Sequence, residues 1–208
     1  MLNRFFRTTD ACNNRCIFEL DTNFFWSRLY EYPFALQFIT KDSVVLDACC
    51  GSYHPLKFEM AKLAKEAYAF DLADLSKPNI LSSISEMFGN QEFDSSVIGK
   101  VKLSSENITN LPYADNMFDY IFCISALEHM DINTVEVGLL ELMRIMKSEG
   151  KLILTIDYPT LSTEALLSIV SKIGLKICGE YDYSIPDDAI QSDYFGSNLY
   201  CYSMVLTK

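Results

Sequence analysis

The stretch VVLDACCGS, Val44 to Ser52, decides how the rest of the sequence is interpreted. A short apolar run leads into a turn of small side chains, as expected where a buried β-strand ends and the backbone bends tightly. Pro55 follows at a position that a first helical turn tolerates, and apolar residues then recur at helical spacing at Leu56, Met60 and Leu63. The sequence therefore predicts a strand, a turn and a helix, in this order.

The same alternation of strand and helix continues along the chain. Four further strands are predicted, over residues 67–72, 97–103, 119–125 and 151–156. Asn133, with Glu136 three residues later, has the pattern of a capping box that begins one intervening helix, and Gly150 is predicted to end that helix. Another helix is predicted over residues 162–173, with Gly174 as its C-terminal cap.

This order of elements predicts an α/β fold. Strands that alternate with helices form a parallel sheet with helices on both faces, because their crossovers are right-handed. Two strand-like runs near the end, 175–183 and 199–207, are predicted to form an antiparallel hairpin at one edge. Residues 1–40 are predicted to form an aromatic, helical N-terminal cap, and residues 41–208 the main domain. The cap either packs on the sheet edge or covers a ligand as a lid.

The composition indicates a folded and acidic protein. Half of the 208 residues are hydrophobic and 22% are charged, which is enough apolar material for one domain with a sizeable core. The 17 basic and 28 acidic side chains leave a net charge of −11, which repels nucleic acid and anionic lipid. Seven cysteines without a regular pattern and only two histidines argue against a disulfide framework and a structural zinc site. With no apolar leader or membrane-length run in the sequence, we expect a cytoplasmic protein that binds neither nucleic acid, membrane nor metal. Its oligomeric state stays open.

Two acidic residues are expected at neighbouring strand ends. Asp47 comes directly before the turn that contains Cys49 and Gly51, and Asp71 ends the second predicted strand. A turn of small residues lets the backbone approach a ligand, and an acidic group at the next strand end can accept hydrogen bonds from a ribose diol. Neither a complete G-x-G-x-x-G nor a G-x-x-x-x-G-K-[ST] pattern is present, so the site predicted here is for a nucleoside without phosphates.

Four motifs in order make the sequence resemble the class I S-adenosylmethionine-dependent methyltransferases over residues 42–208. VVLDACCGS is similar to the first motif of that family, and AFDL, residues 69–72, to the second. NITNLPYADNMFDYIFCISALEH, residues 107–129, resembles the signature around the fourth strand, and LLELMRIMKSEGKLILTIDYP, residues 139–159, the helix and strand that follow. The resemblance implies a Rossmann-like sheet of seven strands, mostly parallel, with an antiparallel last strand. It also implies an enzyme that transfers a methyl group from S-adenosylmethionine to an acceptor.

The resemblance assigns the opening motif and the end of the second strand to the cofactor. The loop around Asp47, Cys49 and Gly51 would hold the methionine part of S-adenosylmethionine. Asp71 would accept from the ribose hydroxyls, and Leu72 would line the adenine.

Five more residues are assigned to the cofactor from the remaining motifs and the N-terminal segment. Asn107 would accept a hydrogen bond from the adenine amino group, while Ile108 packs on the ring. Ile124 and Ser125, at the end of the fourth strand, would lie beneath the reactive sulfonium. Arg28 matches a place where related enzymes carry an arginine for the carboxylate of the cofactor.

Glu128 and His129 follow the fourth predicted strand and are the candidate catalytic residues. One interpretation makes His129 a general base for an acceptor hydroxyl or acid, because its ordinary pKa lies near neutrality. The other interpretation has the pair cap the following helix and brace the loop. Both stay open at this point.

The acceptor is expected to be a small molecule or a saccharide, since the acidic composition disfavours nucleic acid. Cys49 and Tyr53 stand where the family motif usually has glycine, and a side chain there limits the allowed backbone angles. An alternative function therefore stays open: a non-catalytic relative that acts as a binding or scaffold protein.

Overall fold

A computed structural model describes residues 1–196 and 198–208. The described strands are β1 (Arg4–Phe5), β2 (Val44–Ala48), β3 (Glu66–Asp71), β4 (Val101–Ser105), β5 (Phe118–Ile124), β6 (Met146–Tyr158), β7 (Lys176–Ile177), β8 (Gln191–Ser192) and β9 (Leu199–Thr207). The described α-helices are α1 (Arg28–Leu36), α2 (Leu56–Leu63), α3 (Lys77–Phe88), α4 (Ile132–Ile145) and α5 (Thr163–Ile173). Short 3-10 helices cover Ser95–Lys100 and Leu127–His129.

The strands form one sheet in the order β1-β9-β6-β5-β2-β3-β4, with β7 and β8 paired to β9. Strands β2 to β6 run parallel to one another, and β9 is antiparallel to β6. The first predicted strand, β2, lies inside the sheet between β3 and β5, as the crossover argument requires. The predicted α/β fold, a mostly parallel sheet with an antiparallel last strand, is confirmed.

Both faces of the sheet are buried, which explains the continuous apolar run at residues 44–48. Val45 and Leu46 point to opposite faces because side chains alternate along a strand, and neither is exposed. Val45 belongs to a core cluster with Phe58 of α2 and Ile80 of α3. Leu46 belongs to a second cluster with Leu139 of α4 and, from α5, Leu166. Helices therefore cover both faces, and the polar ends of the strands are left for a ligand site.

Two predicted boundaries are wrong. Residues 97–103 were expected as one strand, but Val97 and Ile98 are buried in a 3-10 helix, and β4 begins only at Val101. Helix α4 is capped by Asp131, whose carboxylate accepts from the amides of Asn133 and Thr134, and not by Asn133. Asp131 takes this role because its backbone is extended where the helix starts, whereas Asn133 already lies inside the first turn.

Gly150 does not end α4, as the sequence analysis predicted. The helix ends at Ile145, and β6 starts at Met146 with an irregular register against β5 before regular pairing resumes at Lys151. A Cβ at Gly150 would lie 2.7 Å from Cγ of Met146 and 3.1 Å from the carbonyl oxygen of Asp119. Glycine is therefore required by the close packing of a strand, not by a helix end. The predicted cap at Gly174, in contrast, is confirmed, with a left-handed φ of 86° after α5.

The two ends of the chain meet at one edge of the sheet. Of the predicted run 175–183, only β7 pairs as strand, whereas β9 matches the prediction for 199–207. β1 pairs antiparallel with β9, and the side chain of Asn3 donates to the carbonyls of Cys178 and Glu180. The N-terminal segment thus adds an edge strand to the sheet besides its one helix, α1.

Candidate active site

A cavity of about 590 Å³ opens at the carboxyl ends of β2, β3, β5 and β6. Nine of the twelve residues predicted for the site line it: Arg28, Asp47, Cys49, Gly51, Asp71, Leu72, Ile124, Ser125 and His129. This is the place that an open α/β sheet provides for a ligand, because loops after parallel strands diverge there. The structure thus brings together residues that are up to about a hundred positions apart in the sequence.

Three predicted residues lie outside the lining that the described residues form. Oδ1 of Asn107 accepts from the amide and hydroxyl of Thr109, which closes a local turn. Ile108 is buried against α4, where a Cβ on Gly138 would approach it to 3.0 Å. Glu128 is 7% exposed and lies behind the wall of the cavity, not at its surface.

The turn after β2 has the backbone of a glycine turn although Cys49 and Tyr53 stand where the family motif usually has glycine. Cys49 has a φ of 57° and Gly51 a φ of 59°, both in the left-handed region. A Cβ at Gly51 would come within 2.7 Å of the ring of His54, so glycine is required here on two grounds. Tyr53 lines the cavity and has no positive φ.

Asp71 connects the end of β3 to this turn. Its Oδ2 accepts from the amide of Gly51 at 2.8 Å, and its Oδ1 from the amide of Ala73 at 2.9 Å. Each carboxylate oxygen has a further lone pair, so Asp71 can brace the turn and still accept hydroxyl donors from a ligand in the cavity.

A buried lysine that sequence analysis missed holds the turn from below. Lys57, the second residue of α2, is 0% exposed. Its Nζ donates to the carbonyls of Gly51 at 2.7 Å and of His54 at 2.5 Å, with a longer contact of 3.4 Å to Cys50. These hydrogen bonds from one buried ammonium group fix the backbone of the turn before any ligand binds. The one available signal was a lysine among the apolar residues that begin α2.

Asp47 supplies an acidic group under the turn. It is 3% exposed, lines the cavity, and its Oδ2 has no hydrogen-bond partner among the described residues. Burial raises the pKa of Asp47 to about 7, against the opposing influence of the positive charge on Lys57. Oδ2 of Asp47 is therefore free to accept a hydrogen bond from a ligand in the cavity.

Arg28 and Glu31 form an ion pair at the start of α1, in which Glu31 is buried and the side chain of Arg28 is 15% exposed. Nη1 of Arg28 donates to Oε2 of Glu31 at 2.5 Å, and Glu31 is 0% exposed. Oε1 of Glu31 accepts from the hydroxyl of Ser125 at 2.6 Å and from the thiol of Cys201 at 3.3 Å. Burial alone would raise the pKa of Glu31, but Arg28 and the hydroxyl of Ser125 lower it overall. The pair therefore attaches α1 to the floor of the cavity.

His54 is held as a neutral ring beside the turn. Its Nδ1 lies 3.1 Å from the phenolic oxygen of Tyr32. Burial, together with the positive charges of Arg28 and Lys57, holds the pKa of His54 well below its usual range. His54 therefore acts as a brace for the turn and not as a proton carrier.

The wall at the ends of β5 and β6 carries three titratable groups. Oε1 of the buried Glu128 accepts from the amide of Asp157 at 2.9 Å, and Oε2 has no partner among the described residues. Burial first, and then the neighbouring Asp157, raise the pKa of Glu128 to about 8. Asp157 lines the cavity, and burial followed by the charge of Glu31 raises its pKa to about 6. His129 lies exposed at the rim.

The family described as "Methyltransferase domain" matches residues 46–154, just over half of the chain. The chain belongs to this family. The match confirms the predicted membership of a methyltransferase family. The matched region begins in β2 and ends in β6, so it contains the turn, Asp71 and the end of β5.

Individual relatives of this methyltransferase-domain chain are more distant. A demethylmenaquinone methyltransferase of Geobacillus sp. (strain WCH70) is 31% identical over 127 residues, which cover 59% of this chain and 49% of that protein. This chain spans about half or less of the length of the curated relatives that it matches.

Among solved structures, a TehB-like SAM-dependent methyltransferase from Corynebacterium glutamicum has a TM-score of 0.61 at 13% identity, covering 86% of each chain. The [4+2]-cyclase SpnF has a TM-score of 0.67 at 14% identity, covering 97% of this chain and 87% of that one. At these identities the likeness shows the shared fold. It leaves the acceptor to be argued from the site of this methyltransferase-domain chain.

The described residues bear on two kinds of partner, a membrane and a metal ion. No helix among them is both long enough and apolar enough to span a membrane. No group of three or more histidine, cysteine or acidic side chains in the described part of the chain is placed to hold a metal ion.

Proposed function

We propose that this protein transfers a methyl group from S-adenosylmethionine to a small-molecule acceptor bound in the cavity. The observation that carries the proposal is the contact between Gly51 and Asp71, which joins the glycine turn to an acidic strand end in one rigid unit. The buried, unpaired Oδ2 of Asp47 fits a cofactor as well, because the ammonium group of the methionine part supplies the missing donor.

The cofactor half of the cavity is assigned to residues of β2, β3 and α1. Asp71 would accept from the ribose hydroxyls and Leu72 would cover the adenine. Asp47 would pair with the ammonium, and Arg28 would meet the carboxylate. Within the described part of the chain only Nη1 of Arg28 makes hydrogen bonds, to Ser27 and Glu31, so its other donors can serve a ligand.

The chain itself contributes position and protection from water. When bound, S-adenosylmethionine supplies a methyl group on a positively charged sulfur. Ile124 and Ser125, at the end of β5, form the floor between the two halves of the cavity. Phe24, Phe25 and Trp26 line it from the N-terminal segment, which supports the role of residues 1–40 as a cover. Alignment and exclusion of water account for most of the rate enhancement in such a transfer.

The alternative, a non-catalytic relative, rested on Cys49 and Tyr53. Cys49 already has the left-handed backbone that glycine would adopt, and Tyr53 stands in the cavity wall. These placements support cofactor binding and weaken the alternative. Asn107 and Ile108 are not included in the proposed cofactor site, since the described cavity lining does not contain them. The assignment of His129 as a general base stays a prediction.

Isothermal titration with S-adenosylmethionine and S-adenosylhomocysteine tests the proposal. We expect both to bind, and Asp71→Ala to weaken binding by about 1–3 kcal/mol, the cost of removing a charged hydrogen-bond acceptor. Asp187→Ala, which removes an exposed aspartate outside the cavity lining, is the matched control and should bind as the wild type does. Absence of binding in the folded wild-type protein would contradict the proposal.

A further inference from the structure

The cavity wall at the end of β6 presents a carboxyl group, that of Asp157, with one buried oxygen, Oδ1, that has no hydrogen-bond partner among the described residues. Glu128 lies behind it and accepts from its backbone amide. A buried acceptor without a partner is unfavourable, so a ligand that donates a hydrogen bond gains affinity there.

Positive charge is scarce around Asp157. Arg28 is the only arginine or lysine that the described chain places in the cavity lining, and Glu31 already pairs with it. Asp47 adds a second carboxyl group, 3% exposed, with an unpaired oxygen. Arg28 is shared with Glu31 and, in the proposed function, with the carboxylate of the cofactor. An acceptor that is itself a carboxylate or a phosphate would therefore have no further arginine or lysine of the described lining to offset the repulsion.

Aromatic side chains form much of the remaining wall. Phe24 and Trp26 come from the N-terminal segment, Tyr53 from the turn after β2, and Phe195 from the segment before β9. Aromatic faces bury apolar groups and attract cations by their negative faces. The wall therefore suits a ligand that combines an apolar body with a protonated or N–H-bearing end.

We propose that the methyl acceptor is an amine whose nitrogen donates to Asp157 and whose apolar part lies against the aromatic wall. This inference rests on the proposed methyl transfer. An ammonium nitrogen has no free lone pair, so the amine must first lose a proton, and the carboxylate of Asp157 takes it. The nitrogen lone pair then forms the bond to the methyl carbon as the carbon–sulfur bond breaks with its electron pair kept by sulfur. The positive charge passes to the methylated nitrogen.

Three ligands that share one ring but differ in their polar group test this assignment. Benzylamine, benzyl alcohol and benzoate are titrated into the protein saturated with S-adenosylhomocysteine, which cannot donate a methyl group. We expect benzylamine to bind about tenfold or more tightly than benzyl alcohol, and benzoate to give no measurable binding. Asp157→Asn should weaken benzylamine binding at least about tenfold and leave the affinity for S-adenosylhomocysteine within about twofold. Asp187→Asn, at an exposed site, should change neither.

The outcomes separate this inference from the proposed function. Binding of benzyl alcohol or benzoate as tight as that of benzylamine, no binding of benzylamine, or unchanged benzylamine binding in Asp157→Asn each overturns the amine assignment. None of these touches the cofactor site, which the S-adenosylhomocysteine titration reports by itself. If S-adenosylhomocysteine does not bind, the proposed function fails, and benzylamine titrated alone still decides the role of Asp157. Asp157→Ser replaces Asp157→Asn if thermal unfolding shows that the latter does not fold.

Discussion

The hydroxyl of Ser125, at the end of β5, donates a 2.6 Å hydrogen bond to the carboxylate of Glu31 in α1. The two residues are 94 positions apart, and Glu31 also pairs with Arg28 at 2.5 Å. Through this contact the N-terminal segment becomes part of the cavity floor. The N-terminal segment and the sheet are therefore energetically coupled.

Glu31→Gln is expected to lower the free energy of unfolding by up to about 3 kcal/mol, because it leaves Arg28, whose side chain is 15% exposed, without its carboxylate partner. Urea denaturation measures the change. Glu136→Gln is the matched control: its carboxylate pairs with Lys172, whose side chain is 66% exposed. Such a pair contributes at most about 1 kcal/mol. A loss in Glu31→Gln no larger than in the control would show that Glu31 does not stabilise the N-terminal segment.

Lys57→Met is expected to reduce the affinity for S-adenosylhomocysteine at least about tenfold, because the turn carbonyls lose the donor that fixes them. Titration calorimetry gives the affinity, and circular dichroism establishes that the variant is folded. Lys62→Met, at a lysine on the same helix with a 45% exposed side chain, should bind as the wild type does. Equal affinities of the two variants would show that the hydrogen bonds of Lys57 to the turn carbonyls do not support binding.

Cys49→Gly is expected to raise the free energy of unfolding by up to about 1 kcal/mol. Cys49 has a left-handed backbone, which costs a non-glycine residue roughly 1–2 kcal/mol. Glycine removes this cost, but its greater conformational freedom in the unfolded chain offsets part of the stabilisation. Cys12→Gly, at an exposed cysteine without a positive φ, should instead be neutral or destabilising. Denaturant midpoints compare the two. If Cys49→Gly is instead less stable than the wild type, packing of the Cys49 side chain stabilises the protein by more than its left-handed backbone costs.

In Glu128→Gln, the free energy of unfolding is expected to fall less with rising pH than it does in the wild type. The pKa of Glu128 is raised to about 8, so the folded state keeps a proton that the unfolded state has already lost above about pH 4.5. The free energy of unfolding of the wild type therefore falls as pH rises from about 4.5 to 8, by at most about 1.4 kcal/mol per pH unit for this one group.

The measurement is the difference between wild type and Glu128→Gln in denaturant curves at several pH values. Taking the difference cancels the opposite contribution of His54, whose lowered pKa makes protonation unfavourable in the folded state. The free energy of unfolding of the variant should increase relative to that of the wild type as pH rises. Glu180→Gln, at an exposed glutamate, should run parallel to the wild type throughout. A constant difference between wild type and Glu128→Gln would show that Glu128 is not a buried proton acceptor.

Local patterns in the sequence predicted the alternation of strands and helices from β2 to α5, the parallel sheet and the place of the candidate site. The run at residues 44–48 is apolar on both sides because two helical layers cover it, and this produces a signal within five neighbouring residues. Asp47, Gly51 and Asp71 could be predicted for the same reason. Strand ends follow directly from strand positions, and in a parallel sheet those ends lie together.

The tertiary structure alone decided which charged groups are buried and what they contact. Lys57 and Glu31 have sequence surroundings that suit an exposed residue equally well, and their burial depends on carbonyls and hydroxyls from other elements. The same holds for Asp157, whose pKa is raised first by burial and then by the charge of Glu31, a residue of α1. Periodicity reports which face of an element is apolar, whereas the partner of a buried charge is set by long-range packing, which no local pattern records.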